Sequence, residues 1–349
     1  MELSEAQNLV SGLTDLELAA LLCLVSESHC IVETLDNGID DVSKELALIC
    51  QNMFGLPWAV VDCSEDGFQD FAHAVLVNST QRAADHSKTS SLKQPFFGFE
   101  DLSSSKFDES RVPNVVIAKH LNYATDSVQV QALQLILSGR LTTSTTTLYT
   151  PSPFILIPVV SLENRQPRLS KHLIDHILFS HFHDPEDGYP NLEDDDWMSD
   201  DQASLSSVVH KKHTESRPLI QINEEIISSI RYFTTSVVVT PEVAQYAHNI
   251  VVFLRLHRAV AGGISARSGN DLLQLAKCLA PLHGIDYLTP SIVALAAKKA
   301  FRHRVRIAGP EDDRSIQYGS DVKVIAHILK DIDSDSIIEH VLSEVEPPL

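Results

Sequence analysis

The sequence predicts an α/β core built on a parallel sheet, followed by an all-helical module. Three observations carry that prediction. Short apolar runs alternate with helical patterns through the first half, no positive charge occurs from Asp184 to Val209, and the pattern after that stretch is helical only. Strands that alternate with helices pack as a parallel sheet covered on both faces. The expected divisions are a core over 1–183 with a loop insertion at 79–111, an acidic linker over 184–217, and a helical module over 218–349.

Each element has its own warrant. Residues 15–26, DLELAALLCLVS, have helical periodicity behind a Thr14 or Asp15 cap. The strand HCIV starts at His29, a short loop with one glycine follows, and a helix is predicted from about Asp41 to Met53. After the turn FGLP comes the strand WAVVDCS. Residues 79–111 are rich in Ser, Lys and Asp with sparse apolar residues, which predicts the insertion. NVVIA, from Asn114, reads as a buried strand, and the helix Ser127 to Ser138 ends at Gly139, a natural C-cap. FILIPVV, Phe154 to Val160, is another buried strand, and RLSKHLIDHILFS reads as a helix. The linker is expected because like charges repel and extend a chain. From 218 to 307 four helices are predicted, two of them opening at Thr-Pro with threonine as N-cap and proline at the first helical position.

Bulk properties exclude several classes of function. The chain has 349 residues and a formal charge of −20. Non-specific nucleic-acid binding needs clustered Lys and Arg, so that partner is not expected. No apolar run reaches the ~18 to 20 residues that span a bilayer, so no membrane partner is expected. The start, MELSEAQNLV, lacks the basic-then-apolar order of a secretory leader. Cys23, Cys30, Cys50, Cys63 and Cys278 form no C-x-x-C pair. They read as buried free thiols of a reducing compartment, cytoplasmic or nuclear.

The helical module carries a resemblance. The run GGISARSGNDLLQLAKCLAPLHGIDYLTPSIVALAAKKAFRHRVRI places Gly263, Ser265, Arg267, Gly284, Asp286, Tyr287, Thr289, Pro290, His303 and Arg304 in one register over some fifty residues. It resembles the lid domain of the MoxR and magnesium-chelatase I-subunit branch of AAA+ ATPases. The resemblance implies an AAA+-like, P-loop-type parallel sheet in the first half and an AAA+ lid in the second.

Laid on that frame, the nucleotide motifs fail. The pattern G-x-x-x-x-G-K-[S/T] over ETLDNGID puts Gly38 at the second glycine, with Glu33 for the first, Ile39 for the lysine and Asp40 for the hydroxyl residue. A phosphate loop presents backbone N–H groups, a helix N-terminus and a lysine. Here Glu33, Asp36, Asp40 and Asp41 crowd the same place, with Asp40 or Asp41 expected to cap the helix. A triphosphate within ~4 Å of one such carboxylate meets ~4 kcal/mol of repulsion per charge pair at an effective dielectric of ~20. In the Walker B strand VVIAKH, Lys119 and His120 stand where the resemblance implies a metal-organising aspartate and a water-orienting glutamate. Ser161 replaces the sensor asparagine, and His176 replaces the arginine that reaches a neighbouring subunit, while Asp175 before it is kept. Arg267 stands at the lid arginine that contacts the terminal phosphate, and is expected to pair with Asp36 or Asp40.

These residues predict a non-hydrolysing AAA+-derived protein that acts through protein partners in an assembly. It has no catalytic residue and no resident cofactor, since Mg-ATP needs an intact site. The alternative implied by the resemblance is the family activity, ATP-driven insertion of Mg²⁺ into protoporphyrin IX. A weaker alternative is a metal centre built from His172, Asp175, His176, His181 and His183, where His172-x-x-Asp175-His176 mimics the inverted zincin pattern. Arg302, Arg304 and Arg306 read as a small basic patch for a partner.

Overall fold

The computed structural model describes residues 3–64, 71–76, 111–142, 147–162, 169–194, 220–330 and 332–348. The predicted insertion at 79–111, except for Arg111, lies outside them, as do residues 195–219 of the acidic stretch.

Among the described residues, five parallel strands form the central sheet: β1 (Cys30–Thr34), β2 (Trp58–Asp62), β3 (Val115–Lys119), β4 (Ile155–Ser161) and β5 (Phe179–Phe182). Their order is β2-β3-β4-β1-β5. β1 lies between β4 and β5 and is buried at all five positions: its apolar start, Cys30 to Val32, fits a central strand, and Glu33 and Thr34 are buried polar residues at its end. β5 is a correction to the sequence reading, which carried one helix from Arg168 to Ser180. The helix ends after one turn, at Lys171–Asp175, and Ile177 to Phe182 instead fills the sheet edge beside β1. A short apolar run with an aromatic residue fits both patterns, and the open edge beside β1 decides for the strand.

Helix α1 (Leu3–Ser11) precedes α2 (Asp15–Ser26), which starts at Thr14 in a reciprocal cap with Glu17. Helix α3 (Ile39–Leu48) follows β1, and α4 (Asp126–Ser138) follows β3 and ends at Gly139 in the left-handed conformation. The one-turn helix after β4 is α5 (Lys171–Asp175). The segment after β5 is folded through Asp194. A 3-10 turn, Pro185–Asp187, leads to α6 (Pro190–Asp194), which packs on α3.

The helical module comprises α7 (Glu224–Ser236), α8 (Pro241–Leu256), α9 (Ala266–Leu282), α10 (Pro290–Phe301), α11 (Val322–Leu329) and α12 (Ser334–Glu344). Thr240 and Thr289 cap α8 and α10 through their hydroxyls, with Pro241 and Pro290 at the first helical turn, as predicted. The stretch expected to be helical throughout also holds one strand pair, Val260–Gly262 with Arg306–Ile307. One contiguous apolar core runs from α2 and α3 through one face of the sheet into α7 to α10. The module is therefore joined to the sheet by buried apolar surface. The opposite face carries a second core with α4.

Candidate functional site

Of the positions expected to form the nucleotide site, Gly38, Ile39, Asp40, Lys119, His120 and Ser161 lie at or just beyond the C-terminal ends of the strands, while His176 and Arg267 lie at the other ends. The ladder pairs Glu33 with Phe182 and Thr34 with Ser161, so both residues belong to β1. Only Leu35 to Gly38 connect strand to helix, three of them in a 3-10 turn. A loop that wraps phosphate needs its N–H groups outside the ladder, and Glu33 and Thr34 have theirs within it. Ile39, expected at the lysine position, is 1 % exposed in the core. Neither Asp40 nor Asp41 caps α3, contrary to the sequence reading. The N-cap is Gly38, which offers no side chain, and both aspartates lie in the first turn.

Asp40 faces Lys119 instead. The Lys119 ammonium lies 2.6 Å from the Asp40 carboxylate and 3.0 Å from that of Asp62, at the end of β2. Burial lowers the Lys119 pKa, and its bonds to Asp40 and Asp62 more than offset this and raise it. Burial likewise raises the Asp62 carboxyl, and the bonds from Ser64 and Lys119 bring it below the usual range. The ammonium of Lys119, the residue expected at the Walker B aspartate, thus joins Asp40, expected at the Walker A hydroxyl, to Asp62 on β2. His120 follows in the left-handed conformation, φ 55°, with its N–H donating to the Val159 carbonyl at 3.0 Å. Ser161 closes β4 and is buried.

A strap from Asp184 to Asp194 covers the turn. A Cβ on Gly38 would lie 2.9 Å from Thr34 Oγ1, 3.0 Å from Pro185 Cγ and 3.1 Å from the Tyr189 hydroxyl. The Asn191 and Leu192 amides donate to the buried Glu45 carboxylate at 3.0 and 2.8 Å. The Asn191 side-chain amide adds bonds of 2.8 Å to Glu45 and 3.1 Å to Glu17. Sequence reasoning missed this docking because the charge run masks three anchors, Pro185, Tyr189 and Asn191.

Glu33 is joined to the helical module. Its carboxylate lies 3.0 Å from Arg302 Nε, and Arg302 also reaches Asp335 at 3.4 Å and stacks 5.1 Å from the centre of the Phe182 ring. Burial pushes the Glu33 carboxyl up to about 7, with Arg302 opposing the shift. The native state then keeps a proton that the unfolded chain releases, so the contribution of Glu33 falls as pH rises from about 4.5 to about 7. Arg302→Ala is expected to cost more at pH 8, where Glu33 is ionised, than at pH 5.5. The expected difference is about 1 to 3 kcal/mol in urea unfolding. Equal costs at the two pH values would mean that Arg302 acts through Phe182 and Asp335 alone.

The basic patch does not form. Arg302 is committed to Glu33, Arg304 is 1 % exposed, and of the three only Arg306 lies on the surface. Arg267 also departs from expectation. Among the described residues its ion pair is with Asp271 on its own helix, at 3.8 Å, and none forms with an acid of residues 33 to 41. Its charge bears on His29 and His176, which precede β1 and β5 at the opposite ends of the strands. Burial chiefly lowers the His176 pKa, and Arg267 adds to it.

That end holds a joint made by the residues that kept the lid pattern. The Ser265 hydroxyl donates to Asp175. Arg304 Nη2 donates to the Ile177 carbonyl and to Asp271, both at 2.6 Å, and His303 Nε2 lies 3.2 Å from the same carbonyl. Gly263, at φ 100°, passes so close that a Cβ would sit 1.7 Å from the Arg304 carbonyl oxygen, which leaves room for glycine only. The five residues of the candidate metal cluster are not gathered. His172 is exposed on α5, while His181 is buried in β5 and His183 is buried just after it. Among the described residues no three His, Cys, Asp or Glu stand together as a metal-binding group.

Comparison with known proteins agrees with this fold. Residues 252–327 match the family model of the AAA lid domain. A crystal structure of a candidate ATPase from Cytophaga hutchinsonii superposes over 99 % of this chain and 94 % of that one, with a TM-score of 0.62 at 15 % identity. Maintenance of telomere capping protein 2 of Lachancea thermotolerans is 32 % identical over 132 residues, 36 % of this chain and 46 % of that protein. The same-named protein of Saccharomyces cerevisiae is 28 % identical over 160 residues, 40 % of this chain and 43 % of that protein. YeaC of Bacillus subtilis is 24 % identical over 220 residues, 62 % of this chain and 65 % of that protein. The chain thus spans less than half the length of these yeast relatives. Its five-stranded sheet and helical lid make it AAA+-like, and it is related to the yeast telomere capping maintenance proteins.

Proposed function

We propose that this chain is a non-hydrolysing member of the AAA+-type proteins, of the MoxR and magnesium-chelatase kind, that works by holding protein partners. The observation that supports this most is Lys119, bonded to both Asp40 and Asp62. A cation fixed between these carboxylates stands where a nucleotide-hydrolysing site organises its own metal ion. Tyr189 and Pro185 close over Gly38, so a phosphate would have to displace the strap and face Asp36 and Asp40. The pattern of loss points the same way. Residues that match the lid pattern build the joint to the core, while Asp40, Lys119, His120 and Ser161 sit at the other ends of the strands; His176 alone of the failed positions lies on the joint side. Such a distribution keeps the scaffold and discards the chemistry.

The partners belong to an assembly that maintains telomere capping, on the strength of the yeast relatives' name, and the site of action is then nuclear. Among the described residues no helix is long and apolar enough to cross a membrane. Restoring the two Walker A positions at the start of α3, as Ile39→Lys with Asp40→Thr, is expected to yield no ATP turnover. Lys119 and His120 would still organise neither metal nor water. Phosphate release above background from that double variant, or from the natural chain, would overturn the reading.

A further inference from the structure

Beside the Asp40–Lys119 pair, where α3 meets β2, the surface opens into a pocket of about 210 Å³. Ala47, Leu48, Trp58, Val60 and Leu192 form its apolar wall, and Asp40, Lys44 and Lys119 its polar rim. Its volume is below the ~300 Å³ at which pockets for drug-sized ligands begin, and is on the scale of one bulky side chain. Hot-spot pockets at protein interfaces are of this kind, well packed and centred on one anchor.

We propose that this pocket takes one bulky apolar side chain of a protein partner, flanked in that partner by lysine or arginine. The inference rests on reading the chain as an interaction protein and names the chemistry of what it holds.

The wall is ready for an apolar group because its polar atoms already have partners. Lys119 is bonded to Asp40 and Asp62, the Ser43 hydroxyl donates to the Ile39 carbonyl at 2.7 Å, and the Trp58 indole N–H donates to Gln51 at 3.3 Å. An arriving side chain strands none of them, which avoids the main cost of filling a partly polar pocket. The basic flanks follow from the charges around it. The side chains of Asp40 and Asp41 are 69 % and 44 % exposed on the first turn of α3, and Asp41 meets Lys44 only at 3.6 Å. The rim itself holds Asp40, Lys44 and Lys119; with Asp41 and Asp62, which flank it without lining it, the acids outnumber the lysines three to two, on a chain whose net charge is −20. Complementary charge at a rim sets partner choice and encounter more than affinity. Strand β2 and helix α3 are regular elements, so the pocket is held in shape before anything binds.

The test uses the full chain with Trp197→Phe, which leaves Trp58 as its one tryptophan. Its emission is followed during titration with two capped tripeptides, Lys-Phe-Lys and Glu-Phe-Glu. Saturable change with Lys-Phe-Lys and about tenfold weaker binding of Glu-Phe-Glu are expected. Ala47→Phe, which fills the pocket, is expected to weaken Lys-Phe-Lys about tenfold. Asp41→Lys, a surface change, is expected to narrow the preference between the peptides, and it decides alone if Ala47→Phe does not fold. No saturable change, equal affinity for the two peptides, or a preference unaltered by Asp41→Lys would overturn the proposal. Titration of the same sample with Mg-ATP separates the two readings. A saturable response there counts against the lost nucleotide site and leaves the pocket standing.

Discussion

Arg304→Ala is expected to lower the unfolding free energy by about 3 to 5 kcal/mol, a large part of what holds a domain of this kind together. The guanidinium is fully buried and bonds both the Asp271 carboxylate and the Ile177 carbonyl. Its loss leaves Asp271, 7 % exposed, without its buried partner and removes a bond between module and core. Arg267, half exposed and 3.8 Å from the same carboxylate, is a weak substitute. Removing one member of a buried pair costs more than replacing both by apolar residues. The double variant Arg304→Met with Asp271→Leu is therefore expected to be more stable than Arg304→Ala. Urea unfolding followed by circular dichroism checks both. A loss below about 1 kcal/mol in Arg304→Ala would show that apolar contacts alone carry the joint.

Acid is expected to unfold the protein well above the range of ordinary carboxylate titration. Burial holds His29 down to about 4 and His181 down to about 3, and drives His303 far below its ordinary value, with Arg304 adding to the shift. All three lie inside the fold, neutral, while the unfolded chain takes up protons near 6.5. Below that pH the unfolded state binds more protons, so stability falls as pH falls. From pH 6.5 to 5, His29 and His181 each give up ~2 kcal/mol at ~1.4 kcal/mol per pH unit, and His303 acts in the same direction. Glu33 acts in the opposite direction over the same interval, with its folded value near 7. The net expectation is a loss of several kcal/mol by pH 5, read as a steep drop in melting temperature between pH 6.5 and 5. A melting temperature flat across that interval would mean these histidines become charged within the fold.

The parts legible in the sequence are those with a local physical signature. Four of the five strands announced themselves as apolar runs, and Thr14, Thr240, Thr289 and Gly139 marked helix ends through backbone bonds made within a few residues. β5 did not, because Ile177 to Phe182 suits either a helix or a strand and only the vacant edge beside β1 selects one. The residues expected at the nucleotide site could be named from the sequence, but the partners they make could not. Lys119 bonds Asp40 from 79 residues away, and Glu33 meets Arg302 across most of the chain. Arg267 shows the hazard of carrying a role over from a pattern. Its helix starts against Asp175 and Ile177, at the far ends of the strands from Gly38, a placement that no spacing within residues 263 to 304 encodes.

The central claim is that the nucleotide seat is closed by the protein's own charges and strap. Isothermal calorimetry of the purified chain with Mg-ATP tests it most directly. The account predicts no saturable heat up to about 1 mM nucleotide, since even a Kd of ~1 mM corresponds to ~4 kcal/mol of binding free energy. Binding in the micromolar range that disappears when Mg²⁺ is withheld would contradict it, because Lys119 could not then be occupying the place of the metal.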